Sequence, residues 1–273
     1  MQMDKRPIGV FDSGLGGLST VRAMKKILPG EDIVYFGDTG RVPYGSRSNE
    51  TIETYAAQDI KFLRTFSCKM IVAACGTVST VASGLIDKIN EPATGITKPS
   101  AKAAALATKN NIIGVMGTSA TVNSNAFNDE IHKTNPNANV ISVACPMLVS
   151  LVENNWIDID DEVANAAVKR YIAPILDAGA DTIILGCTHF PILSPIIQKI
   201  AGENVTLIDT GYEEALYVKE VLEKENLANE SSHTGTQKFF VSDKTQNFCD
   251  VANVLLGDDI EDKCEFIDIF KFI

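Results

Sequence analysis

Two segments of the chain set a cysteine in the same surroundings. Lys69-Met70-Ile71-Val72-Ala73-Ala74-Cys75-Gly76-Thr77 and Asp181-Thr182-Ile183-Ile184-Leu185-Gly186-Cys187-Thr188-His189 each run from an apolar stretch through a small residue to Cys, with a threonine close behind. A short apolar run bounded by small and polar residues reads as a buried strand. The carboxyl end of a parallel strand is where ligands sit. Two thiols at two such ends, facing one cleft, suit proton transfer on opposite faces of one substrate carbon. His189, two residues past Cys187, can shuttle a proton. A helix start after Phe190-Pro191 would lower a thiol pKa from its free value of about 8.5.

Other segments offer polar groups at strand ends. Asp12-Ser13-Gly14-Leu15-Gly16-Gly17 follows the first strand and precedes a helix. Glycines there allow close backbone approach, and helix N–H groups favour an anion. A nucleotide is a poor fit, because Ser19 stands where a dinucleotide fingerprint needs its third glycine and the P-loop lysine is missing. A small carboxylate suits the loop as well, with Asp12 as a base or ammonium acceptor. Thr118, Ser119 and Thr121 can hydrogen-bond a ligand or cap a helix. From composition alone, Arg41-Val42-Pro43-Tyr44-Gly45-Ser46 reads as a plain Pro/Gly loop, and Glu153 as a solvated helix residue.

The elements that must position these groups alternate strand, turn and helix almost throughout, which predicts an α/β fold with mostly parallel sheet. Helices are expected over 18–27, 52–65, 80–89, 101–108, 124–132, 162–176, 195–201 and 211–225. Late strands are expected at 238–242 and 264–268, and a linker over 91–95. Three strand ends recur in order. Ile8–Ser13 pairs with Ile113–Thr118, Asp32–Phe36 with Asn139–Val143, and the two Cys strands with each other, the pattern of a duplicated α/β unit.

At 273 residues and 45% apolar content the chain can build a large core. A net charge of −11 argues against a nucleic-acid-binding surface. No signal-like segment and no apolar stretch of the roughly 18 residues that span a bilayer occurs, so no membrane partner and a cytoplasmic location are expected. The six cysteines include no CxxC pair, which suits neither a zinc ribbon nor a disulfide scaffold. Cys68, Cys249 and Cys264 read as small buried hydrophobes, Cys145 as structural, and His132 and His233 as surface residues.

The chain resembles the glutamate racemases of the cofactor-independent aspartate/glutamate racemase superfamily. Asp12-Ser13-Gly14-Leu15-Gly16-Gly17, Pro43-Tyr44-Gly45, Ala74-Cys75-Gly76-Thr77 and Gly186-Cys187-Thr188-His189 carry the likeness in the family order. The resemblance implies two pseudo-symmetric α/β domains facing a shared cleft, 1–98 plus 208–273 and 99–207. It implies two-base racemisation of glutamate for peptidoglycan synthesis, no cofactor, no metal, and a homodimer. Cys75 would serve the D-enantiomer with Asp12, and Cys187 the L-enantiomer with Glu153 and His189. Asp38 would assist electrostatically. Ser13, Pro43, Tyr44, Gly45, Gly76, Thr77, Thr118, Thr121 and Thr188 would hold the amino acid beside the catalytic groups.

The family usually carries Asn where Gly76 stands, so one side-chain donor is missing. An Asn introduced there is expected to restore it if the pocket has room. Three alternatives stay open. One is an aspartate or broad-specificity racemase of the same superfamily. Another is a zinc site on Cys75, Cys187 and His189, and the third is a non-catalytic binder that kept the cleft.

Overall fold

The computed structural model describes residues 4–229, 234–244, 248–257 and 264–272. The expectations for His233 and for the Cys249 side chain lie outside the described residues. From the N-terminus the chain forms β1 (Ile8–Asp12), α1 (Leu18–Ile27), β2 (Ile33–Gly37), α2 (Asn49–Arg64) and β3 (Met70–Ala73). Then come α3 (Gly76–Val81), α4 (Ser83–Ile86), β4 (Ala93–Gly95) and α5 (Thr97–Ala107). The second half contributes β5 (Ile112–Gly117), α6 (Ser119–Asn123), α7 (Ala126–Thr134), β6 (Asn139–Ala144), α8 (Pro146–Glu153), α9 (Glu162–Asp177), β7 (Thr182–Leu185), α10 (Ser194–Ala201) and β8 (Thr206–Asp209). α11 (Thr210–Lys224) then leads back to β9 (Gln237–Val241), α12 (Phe248–Leu256) and β10 (Cys264–Phe266).

The strands build two sheets, ordered β10-β9-β2-β1-β3-β4 and β6-β5-β7-β8. Every strand pair described is parallel. The order β2-β1-β3-β4 in one sheet repeats as β6-β5-β7-β8 in the other, so the internal repeat read from the sequence is a repeat of topology. β1, β2, β3 and β7 are buried along their whole length. Helices cover both faces of such strands, which is why they read as unbroken apolar runs rather than alternating ones. Helix ends follow local chemistry. Ser48 accepts from the Thr51 amide at the start of α2, and Asp161 from the Ala164 amide at the start of α9.

Two expectations are corrected, and two expected boundaries fall inside elements. The helix foreseen over 80–89 begins earlier and is split at Ala82 into α3 and α4. Within it the Thr80 hydroxyl bonds back to the Gly76 and Thr77 carbonyls, a habit that bends helices. The 91–95 linker contains β4, which pairs with β3 and is too short to show a period. The expected boundary at 98/99 falls inside α5, because Pro99 sits in the first turn, where its missing N–H costs nothing. The boundary at 207/208 falls inside β8, whose pairing with β7 runs to Asp209.

Candidate active site

Cys75 and Cys187 follow the ends of β3 and β7, equivalent strands of the two sheets. Both are almost fully buried, and both line one cleft of about 290 Å³ between the halves. Ser13, Pro43, Tyr44, Gly45, Gly76, Thr77, Thr118, Glu153, Thr188 and His189 line the same cleft. Asp12 and Thr121 do not. They stand one layer behind it, each holding a residue that does.

The two thiols have different neighbours. The Cys75 thiol donates to the Ser13 hydroxyl at 3.4 Å. Burial, reinforced by the Asp12 charge, pushes this thiol up to about 12, against the Ser13 and Val78 donors that favour the thiolate. Cys187 Sγ lies 3.7 Å from His189 Nδ1, and His189 Nε2 lies 3.4 Å from Glu153 Oε1. Burial works against a charged imidazole here. The Cys187 hydrogen bond and the Glu153 carboxylate outweigh it and raise His189 to about 10. The ring is therefore protonated near neutral pH and can hand a proton to Cys187. Glu153 itself is partly exposed, as the last residue of α8.

Asp12 ends β1 and is fully buried. Its Oδ2 accepts from the Gly14 amide at 2.9 Å, and its Oδ1 from the Thr188 hydroxyl at 3.3 Å. Burial raises its pKa, opposed by His189 and the amides of Gly14 and Gly17. The Gly16–Gly17 stretch must be bare. A Cβ at Gly16 would stand 2.2 Å from Thr188 Oγ1, and one at Gly17 2.6 Å from Asp12 Cβ.

On the other side of the cleft, three hydroxyls form a chain across the halves. Thr77 Oγ1 and Thr118 Oγ1 are 3.0 Å apart, and Thr118 Oγ1 donates to Thr121 Oγ1 at 3.0 Å. Thr118 also caps α6 through the Thr121 amide. Thr121 thus positions Thr118 instead of facing the cleft.

The 41–46 segment is not a plain loop. It forms two 3-10 turns, Thr39–Arg41 and Tyr44–Ser46. Arg41 donates to Asp38 at 2.5 Å and to Asp59 at 3.1 Å, and stacks over the Tyr55 ring. The Tyr44 hydroxyl donates to Asp38 and Asp59. Tyr44 was expected to hold a substrate, but its hydroxyl is spent on this acid pair, so its ring and backbone are what it offers the cleft. Asp38 also accepts from the Ser242 hydroxyl at 2.7 Å and is absent from the cleft lining. Burial, then the Asp38 charge, holds Asp59 well above the usual carboxylate range.

Gly76 departs from the expectation that an Asn could be introduced there. Its φ is not positive; among the described residues the positive-φ glycines are Gly179, Gly202 and Gly257. Nor is there room for a side chain, since a Cβ would lie 2.3 Å from the Gly186 carbonyl oxygen. An added Asn would meet the second half before it met a substrate.

Sequence reasoning missed Val42, Ser46, Pro146, Val149 and Ser150, which also line the cleft. A signal for three of them existed. Pro146, Val149, Ser150 and Glu153 are spaced i, i+3, i+4, i+7, one face of α8, while Leu148, Leu151 and Val152 on the other face are buried.

Cys68 and Cys145 are buried and pushed up to about 12 by that burial, and Cys264 is buried too; none of the three lines the cleft. His132 is half-buried between the Asn128 and Ala138 carbonyls. Among the described residues no group of three or more His, Cys, Asp or Glu side chains converges as a metal-ligand set. No helix of the described residues is long and apolar enough to cross a membrane.

The model of the Asp/Glu/hydantoin racemase family matches residues 8–213. The glutamate racemase of Neisseria meningitidis serogroup A is 44% identical over 259 residues, covering 94% of this chain and 95% of its own. Among solved structures, glutamate racemase from Francisella tularensis in complex with D-glutamate aligns with a TM-score of 0.90 at 35% identity, over 98% of this chain and 100% of that one. A glutamate racemase isoform from Bacillus anthracis aligns with a TM-score of 0.92 at 34% identity, over 97% and 98% of the two chains.

Proposed function

We propose, since this chain belongs to the Asp/Glu/hydantoin racemase family and to its glutamate racemases, that Cys75 and Cys187 interconvert L- and D-glutamate as a two-base pair without a cofactor. The observation that carries the reading is the pair of buried thiols at equivalent strand ends, lining one cleft from the two halves. In one direction a Cys187 thiolate takes the α-proton of L-glutamate, leaving its electron pair on Cα. The Cys75 thiol gives its proton to the other face. One S–H bond forms as the other breaks, and the reverse reaction exchanges the roles. His189, protonated beside Cys187, supplies or stores the proton that readies that sulfur, with Glu153 holding its charge. Asp12 acts through its neighbours, tying the Gly14 amide and the Thr188 hydroxyl from behind the cleft lining.

The substrate α-proton is weakly acidic, so the cleft must stabilise charge as it develops. Ser13, Thr77, Thr118 and Thr188 supply hydroxyls near both sulfurs and suit the carboxylate and ammonium groups of an amino acid. The same reading gives the enzyme a cytoplasmic role, supplying D-glutamate for peptidoglycan, and a homodimeric assembly to be checked by light scattering.

The deciding experiment follows the circular dichroism of L- and D-glutamate with purified protein, no added cofactor, and chelator present. Loss of optical activity from either side supports the reading. An inert glutamate sample, or activity on aspartate alone, overturns it.

A further inference from the structure

We propose that Ser19 is a positioning residue that clasps Thr188 from the other half of the molecule and so holds the Cys187–His189 pair in line with the substrate carbon. Ser19 lies in α1, is buried, and does not line the cleft. Its hydroxyl donates to the Gly16 carbonyl at 2.8 Å and to the Thr188 carbonyl at 3.0 Å. The Gly16 carbonyl already accepts from the Ser19 amide at 3.0 Å. The Thr188 carbonyl belongs to the other half, 169 residues away.

The local sequence explains why Thr188 needs a donor from outside. After Cys187 the chain winds with a three-residue repeat. The Cys187 carbonyl accepts from the Phe190 amide at 2.9 Å, and the His189 carbonyl from the Ile192 amide at 3.3 Å. In the same pattern the Thr188 carbonyl, between them, would accept from residue 191. That residue is Pro191, which has no N–H to give. The Ser19 hydroxyl takes its place. The Thr188 hydroxyl meanwhile donates to Asp12 Oδ1 at 3.3 Å. The first half thus holds Thr188 by its side chain and by its backbone. Thr188 links Cys187 to His189, whose Sγ and Nδ1 lie 3.7 Å apart. Cys75 bonds Ser13 instead, outside this clasp.

The inference rests on the two-thiol reading, and it predicts an asymmetry. From D-glutamate, the Cys75 thiolate takes the α-proton and the Cys187 thiol must deliver one to the opposite face. With Cys187 out of line, the electron pair on Cα takes a proton back from Cys75 after that S–H has exchanged with solvent. Labelled D-glutamate then forms. From L-glutamate, a misplaced Cys187 slows the first step, but Cys75 still completes the inversion. Exchange should therefore outrun inversion from the D side alone. A general loosening of the fold would disturb both sides alike.

The test compares Ser19→Ala and Ser19→Thr with the parent protein in D₂O, starting from each enantiomer. It measures kcat, KM, and the deuterium gained at Cα by the starting enantiomer relative to inverted product. For Ser19→Ala the expected kcat is lowered about tenfold, less than the roughly hundredfold that a misplacement of about 1 Å can cost. KM should change less, and the exchange-to-inversion ratio should rise several-fold from D-glutamate but not from L-glutamate. Ser19→Thr should restore the parental values, because a helical threonine can set its hydroxyl on the carbonyl three residues back, as Ser19 does. Ser19→Cys, a weak donor, serves if Ser19→Ala does not fold, and should show the same asymmetry. Ser100→Ala is the control. Its hydroxyl is buried in α5 with no hydrogen-bond partner among the described residues, and its loss should leave every quantity unchanged. A parental kcat and ratio in a folded Ser19→Ala or Ser19→Cys, an equal rise from both enantiomers, or a Ser19→Thr as impaired as Ser19→Ala overturns the proposal. Failure of the two-thiol reading would look different: a cysteine-to-alanine variant would still racemise.

Discussion

Thr188 and Asp12 meet across the two halves, the Thr188 hydroxyl donating to Asp12 Oδ1 at 3.3 Å. This bond ties the residue after one thiol to the end of β1, which neighbours β3, the strand of the other thiol. Asp12 is fully buried and does not line the cleft, so its influence on the Cys75 side passes through charge and through the loop it holds.

Cys75→Ala and Cys187→Ala are each expected to abolish racemisation by removing one of two proton carriers. They should differ in the surviving half-reaction. Cys187→Ala should still exchange the α-proton of D-glutamate with solvent, and Cys75→Ala that of L-glutamate. Proton NMR in D₂O separates the two, and racemisation near the parental rate in either variant would end the two-base reading.

Glu153→Gln removes one of the groups that raise His189 to about 10. The folded pKa of the ring should fall, by about one unit for a partly exposed partner. The alkaline limb of kcat/KM should move to lower pH in step. An imidazole NMR titration alongside the rate profile checks both, and a limb that stays in place would take His189 out of the proton path.

Arg41 is buried between Asp38 and Asp59. Arg41→Ala leaves two carboxyls buried without that cation and should cost roughly 3–5 kcal/mol, the scale of breaking a buried pair. Arg41→Lys keeps the charge but loses the fork that reaches both acids, so its cost should be intermediate. Urea unfolding measures both. Equal stability of Arg41→Lys and the parent would mean that the charge alone, without the fork, holds the 39–46 turns.

Glu214 on α11 is fully buried, and neither carboxyl oxygen has a partner at hydrogen-bond geometry among the described residues. Burial raises it to about 8, with the Thr94 hydroxyl opposing. The folded protein therefore keeps a proton that the unfolded chain releases above the ordinary glutamate pKa of 4.5. The stability that this group contributes is full below that value and is lost as pH rises towards about 8. Glu214→Gln should flatten this fall, with a gain at pH 9 on the order of 5 kcal/mol relative to the parent. Chemical denaturation at pH 5 and pH 9 is the check, and parallel pH profiles for the two proteins would sink the idea.

The legible part of this protein lies in short segments whose chemistry is local. The apolar runs 70–73 and 182–185 had to be buried parallel strands, and the residues after them had to stand at ligand-facing ends. The same logic exposed the repeated topology, since each strand end carries its own turn residues. Pro146, Val149 and Ser150 were missed because their shared face emerges only once 146–153 is wound as a helix.

By itself, then, the sequence determined the α/β architecture, the doubled strand order and the two cysteines, because a strand's burial and the residues at its end are adjacent in the chain. The tertiary structure decided which groups meet. It joined Thr77 to Thr118, and Thr188 to Asp12 across 176 residues. It turned the Tyr44 hydroxyl away onto Asp38 and Asp59, and it left Gly76 no space for a side chain. These relationships depend on how two separately packed sheets dock. Docking is set by the summed shape of both surfaces, which no local run of residues encodes.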